Sequence, residues 1–152
     1  MPPMAMESVM VPIGTAMPSF TLPSVDGRTV SDTDFADAPA LVVIFLSNHC
    51  PYVRRIEQAL GAVTAQLGER GVATVGICSN DIVNYPEDGA DHLREQIARA
   101  HFPFPYLIDE TQQTAKDFHA ACTPDLFVYD AERRLAYRGQ FDEARPANTL
   151  PA

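Results

Sequence analysis

The chain has 152 residues, enough for one domain with one continuous hydrophobic core. Its 46% hydrophobic and 20% charged content is that of an ordinary soluble globular protein. Eleven basic against twenty acidic side chains give a formal charge of -9 and a pI near 4.7, a surface that repels phosphate backbones and anionic lipid and so argues against nucleic-acid and membrane partners.

The opening segment, Met1 to Glu7, lacks a basic n-region, and Pro12 and Gly14 interrupt the apolar stretch that follows. It does not read as a signal peptide, and no segment approaches the roughly 20 apolar residues that span a bilayer. The expected compartment is therefore the cytoplasm, where thiols are kept reduced. A hairpin is expected over Phe20 to Val30, turning at Asp26-Gly27, with Pro23 marking its first strand as an edge. Ala40 to Leu46 is a continuous apolar run rich in β-branched residues, as in a parallel strand buried on both faces.

Helical spacing begins at Pro51, with Val53, Ile56, Leu60, Val63 and Leu67 on one face and Arg54, Arg55, Glu57, Gln58 and Gln66 elsewhere; Gly71 ends the pattern. Val72 to Cys78 reads as a second buried strand. A shorter helix over Asp91 to Ala100 carries Leu93 and Ile97 inward. Tyr106 to Ile108 is a brief strand, and Thr111 to His119 another short helix with Ala115 and Phe118 inward. Leu126 to Tyr129 and Leu135 to Arg138 are strands joined by a hairpin-length connection. This order of hairpin, β, α, β, α, β, α, β, β predicts an α/β domain with a mixed sheet, in which sites form beyond the carboxyl ends of the parallel strands. Cys50 follows the first parallel strand and Asn80 and Asp81 follow the second, so both loops should face one crevice.

Ser47-Asn48-His49-Cys50-Pro51-Tyr52-Val53 is the most informative stretch. Pro51 suits the first helical turn, where its missing N–H costs nothing. Cys50 then stands at the N-cap, against unpaired amides and the positive end of the helix dipole, an environment that favours thiolate over thiol. An imidazolium at His49 would push the same way. The plain alternative is that Cys50 merely caps the helix or fills space. Cys78, at the end of a buried strand, reads as structural.

Phe45 to Val53 looks like the thioredoxin active-site stretch, with Cys50 in the first cysteine position and Val53 where a second would stand. Ala121-Cys122-Thr123-Pro124 to Asp130 looks like the loop and strand that carry the cis-proline of that fold. The chain as a whole resembles the peroxiredoxin-like subgroup of the redoxin (alkyl hydroperoxide reductase/thiol-specific antioxidant) family. The matching pieces are Ser47 to Val53, Ser79 to Asp81, Tyr85 to Asp88, Phe104 to Leu107, Asp109 to Gln112 and Tyr137 to Asp142. The resemblance implies a thioredoxin-like fold, a central mixed sheet flanked by helices with an N-terminal hairpin extension. It implies a thiol-disulfide oxidoreductase or thiol-dependent antioxidant with Cys50 as attacking thiolate and Cys122 as candidate resolving cysteine. His49 would tune the thiolate; Thr123, Pro124, Pro51, Asn80 and Asp81 would shape the substrate site. Its partners would be a disulfide or peroxide substrate and a thiol reductant, without a cofactor or metal.

Three departures qualify the resemblance. Peroxiredoxins carry Pro-x-x-x-Thr-x-x-Cys, whereas Val43 and Ser47 hold those positions here. Ile44 stands where thioredoxins bury an aspartate, leaving His49 and Asp81 as candidate proton carriers. Chains of the subgroup continue with a further helix and cysteine segment. Ending at Ala152, this chain should leave one sheet face uncovered, as a fragment would, or cover it with another partner such as a second copy in a homodimer.

The rival readings are a one-cysteine peroxidase passing through sulfenic acid and a non-catalytic binding module of the same fold. A zinc site from His49, Cys50, His119 and Cys122 is a weaker alternative, because the spacing is not that of a zinc finger. His92 and His101 read as surface or helix-end residues, and Glu87, Asp88 and Asp91 as caps of the following helix. Phe102, Phe104 and Tyr106 read as packing at a strand entrance.

Overall fold

The computed structural model describes residues 11–80 and 84–139. Its first pair of strands, β1 (Thr21–Pro23) and β2 (Thr29–Ser31), is the expected antiparallel hairpin. Within the turn at Asp26-Gly27 only Gly27 takes positive φ, at 93°. The connection is closed by Gly27 N–H to Ser24 O at 3.0 Å and Ser24 N–H to Arg28 O at 2.7 Å.

A five-stranded sheet follows, in the order β5-β4-β3-β6-β7. Strands β3 (Leu41–Phe45), β4 (Ala73–Cys78) and β5 (Tyr106–Ile108) run parallel; β6 (Asp125–Tyr129) and β7 (Leu135–Gly139) complete it antiparallel. The central β3 is buried at every residue, as its unbroken apolar run requires. Side chains alternate across the pleat. Val42 and Ile44 join Val53, Ile56 and Leu60 of helix α1 (Pro51–Glu69) and Leu93 of α2 (Ala90–Ala100) in one core. Leu41, Val43 and Phe45 join Phe20, Val30, Phe127 and Phe118 of α3 (Gln113–Phe118) in the other. The expectation of an uncovered sheet face is not met at β3, because the hairpin segment and α3 lie on the side opposite α1 and α2. The C-terminal segment itself, like the matching stretch Gln140 to Asp142, falls outside the described residues.

Helix α1 ends on a Schellman motif: Val72 N–H bonds Leu67 O and Gly71 N–H bonds Gly68 O, with Gly71 at φ 84°. Its buried face differs from the one the spacing predicts. Val63 is exposed, whereas Glu57, Gly61 and Thr64 are buried. Gly61 lies against Ala100, so α2 covers the Glu57–Gly61–Thr64 side of the helix and turns Val63 outward. Glu57 is not left unpaired there. It takes a bidentate bond from Arg99 and a third from Gln96, whose amide also donates to Ser47 O and whose oxygen accepts from Tyr106. No helix among the described residues is long and apolar enough to cross a membrane.

Candidate functional site

Strand β3 delivers Leu46 to Cys50 to the carboxyl edge of the sheet, and three polar contacts from arginine and serine side chains help set the path of this loop. Arg54 Nε donates to Asn48 O at 2.6 Å, Arg99 to Asn48 Oδ1 at 2.9 Å, and Cys50 N–H to Ser47 Oγ at 3.2 Å. Ser47, at the peroxiredoxin threonine position, is fully buried and spends its hydroxyl on the cysteine's own amide.

Cys50 is the N-cap of α1, in extended conformation, and Pro51 occupies the first turn. Its sulfur makes no capping bond to the first-turn amides, in contrast to the arrangement expected. Instead the thiol donates to the main-chain oxygen of Thr123, 3.4 Å away. The Thr123–Pro124 peptide is cis. The loop after α3 thus lies against the helix start, with Cys122 one residue from the contact. Cys122 is half-buried, and its sulfur lies 3.9 Å from Pro124 O. All three cysteines are free thiols. Cys78, the last residue of β4, is buried, and burial pushes its thiol up to about 12.

A cavity of about 750 Å³ opens over this junction. Cys50, Cys122, His49, Thr123, Pro51 and Asn80 line it together; Pro124 adjoins it through the cis bond, and Asp81 falls outside the described residues. His119 is exposed at the end of α3 and is not among the lining residues. Among the described residues no group of three or more His, Cys, Asp or Glu side chains converges as a metal set. His92 and His101 are exposed, and Phe102, Phe104 and Tyr106 are buried in the α1–α2 core.

Two features of the site lay outside the sequence reading. Lys116, the chain's single lysine, lines the cavity from α3. Asp88, assigned above to capping the next helix, does not cap it: Gly89 is the N-cap of α2, without a side-chain bond. The Asp88 carboxyl turns the other way, with no solvent exposure, into the cysteine loop. It accepts Asn48 N–H at 2.6 Å, His49 N–H at 3.3 Å and Asn80 Nδ2 at 3.0 Å, and its Oδ2 lies 2.5 Å from His49 Nδ1. A buried carboxylate is tolerated only where donors surround it, and this loop supplies them. Tyr85 stacks on the imidazole, ring centroids 4.1 Å apart. The one available signal was the proximity of Tyr85 to Asp88 in the family-matching pieces, which carries no information on side-chain direction.

The chain is similar to several solved structures. A hypothetical protein from Sinorhizobium meliloti superposes with a TM-score of 0.91 at 43% identity, covering 94% of this chain and 78% of that one. An uncharacterized conserved protein from Geobacillus kaustophilus gives 0.91 at 41% identity, over 96% of this chain and 78% of that one. The thioredoxin domain of a thiol-disulfide oxidoreductase from Bacteroides vulgatus gives 0.72 at 15% identity, over 86% and 90%, which is a likeness of fold. No functionally curated protein gives a significant match. The AhpC/TSA family model matches residues 13–138, nearly the whole described chain, and with the thioredoxin-like sheet and the cysteine at its helix start, the protein belongs to the AhpC/TSA redoxin family.

Proposed function

We propose that the protein is a thiol-disulfide oxidoreductase of the peroxiredoxin-like subgroup, working in a compartment that keeps thiols reduced, the cytoplasm. The observation that carries this reading is the contact between Cys50 and Thr123, which sets a sulfur at a helix start against the cis-proline loop within an open cavity. The Cys50 sulfur attacks one sulfur of a disulfide R–S–S–R′, forming a mixed disulfide with R and releasing R′ as a thiol. Cys122, sharing the cavity, attacks the Cys50 sulfur, releases R as a second thiol and leaves an intramolecular disulfide. An external dithiol returns both cysteines to thiols. Thr123 and Pro124 present main chain to an extended substrate, while Pro51 and Asn80 bound the site.

The test is mixed-disulfide trapping with hydroxyethyl disulfide, read by intact mass. The wild-type protein should release two thiols per chain and lose the mass of two hydrogen atoms. Cys122→Ser should stop at a single adduct on Cys50, and Cys50→Ser should react at least tenfold more slowly. If Cys50→Ser reacts as fast as wild type, the assignment of Cys50 is wrong. If Cys122→Ser accumulates no adduct, Cys122 is not the resolving thiol.

A further inference from the structure

Among the described residues the carboxyl group of Asp88 is the most completely enclosed acid near the cavity, and the disulfide exchange just described gives it no task. Each of its neighbours belongs to the cysteine loop or to the loop after β4. Main-chain N–H groups of Asn48 and His49 and the side-chain amide of Asn80 already point at its oxygens. With these three donors in place the carboxylate is an acceptor only, so the fourth neighbour, His49 Nδ1, must be the donor across the 2.5 Å contact. In the neutral ring that bond selects the tautomer protonated on Nδ1, which leaves Nε2 with its lone pair. Tyr85 holds the ring's face, and a quarter of the His49 side chain remains exposed as it lines the cavity beside Cys50.

From this geometry we infer that Asp88 is a positioning residue that acts through His49, holding its ring so that Nε2 is the proton carrier of the cavity. The inference rests on the oxidoreductase reading of Cys50. In the first half-reaction the Cys50 proton passes to Nε2, and the sulfur attacks the substrate disulfide. The imidazolium, stabilised by Asp88, then returns that proton to the departing R′ thiolate, so that the histidine ends as it began. Among the described residues Cys50, Cys122, Lys116, Tyr52 and Tyr85 are the other titratable groups lining this cavity, and none of them offers a carboxylate to the ring. Ile44, at the thioredoxin position, is fully buried and carries no proton, so the carrier is His49 of the cysteine loop, held by Asp88.

The test pairs a tautomer measurement with kinetics on the full chain. Two-bond ¹⁵N–¹H correlation spectra should show His49 protonated on Nδ1 in the wild type and on Nε2 in Asp88→Asn, whose amide donates where the carboxylate accepted. The single-turnover rate with hydroxyethyl disulfide should fall about 10- to 100-fold in Asp88→Asn and in His49→Gln. The double variant should be no slower than the slower single one. An unchanged tautomer in folded Asp88→Asn would overturn the inference without touching the role of Cys50. So would losses that multiply in the double variant, since these would mean that Asp88 only holds the loop. Should the wild type release no thiol from hydroxyethyl disulfide, the oxidoreductase reading fails instead, and the tautomer spectra still decide whether Asp88 orients the ring.

Discussion

Arg138 of β7 and Asp125 of β6 form a two-pronged ion pair, at 2.8 and 3.2 Å, with side chains only 6% and 1% exposed. Both partners also reach into the segment that leads to the cis-proline. Arg138 donates to His119 O at 2.8 Å, and Asp125 accepts Ala121 N–H at 3.1 Å. The pair therefore ties the sheet edge to the loop that places Thr123 and Cys122 over Cys50.

Removing one member of such a pair leaves the other buried without a counter-charge, at a cost of about 3–5 kcal/mol. Arg138→Met should lower the unfolding free energy by about that amount in urea titrations, with faster amide exchange at Ala120 to Cys122. The guanidinium also covers the Phe127 ring, 4.8 Å from its centroid, a contact that methionine retains in part. A loss below 1 kcal/mol, with exchange unaltered, would show that the loop does not depend on the pair.

Gly61 sits where α1 and α2 approach most closely. A Cβ built on it would lie 2.2 Å from the main-chain oxygen of Ala100 and 3.2 Å from that of His101. Alanine is favoured over glycine inside a helix by about 1 kcal/mol, yet overpacking against backbone costs about 1–3 kcal/mol. Gly61→Ala should therefore be net destabilising, and a chemical melt of the variant that matched or exceeded wild type would refute the close packing of the two helices. Because Arg99 and Gln96 of α2 hold Glu57, Asn48 and Ser47, the displacement should also slow the reaction of Cys50.

Cys78 makes a prediction about alkaline pH. Its thiol is raised from 9.0 to about 12, because burial penalises the thiolate and the nearby carboxylates Asp88 and Asp109 add to the penalty. The sign follows from linkage: the unfolded chain loses this proton at lower pH than the folded one. The associated stability is complete below pH 9 and declines as pH rises from about 9 toward 12. Cys78→Ala should flatten part of that decline; Tyr106 and Tyr129, raised by burial as well, contribute in the same direction. In native protein at pH 8, iodoacetamide should leave Cys78 unmodified while Cys50 and Cys122 react.

Where the chain's pattern was decisive, the physics was local. An all-apolar run such as Leu41 to Phe45 is stable only with both faces covered, which identifies a central strand. Pro51 at a helix start and Gly71 past its end mark boundaries through backbone preferences that hold in any context. Where the pattern misled, the missing quantity was direction. Glu57 looks like one more polar residue beside Gln58, and it is buried because Arg99 and Gln96, some 40 positions on, fold back to meet it. Asp88 has the sequence context of a helix cap and serves the preceding loop instead.

The residues alone determined the order of strands and helices, the placement of Cys50 at a helix start and the resemblance to the redoxin family, because periodicity, proline and glycine act over a few positions. Tertiary structure alone decided which carboxylates are buried, which side of α1 meets α2 and which main-chain oxygen meets the Cys50 sulfur. Those outcomes depend on hydrogen-bond partners brought together from distant parts of the chain, and a buried charge is stable only where such partners arrive.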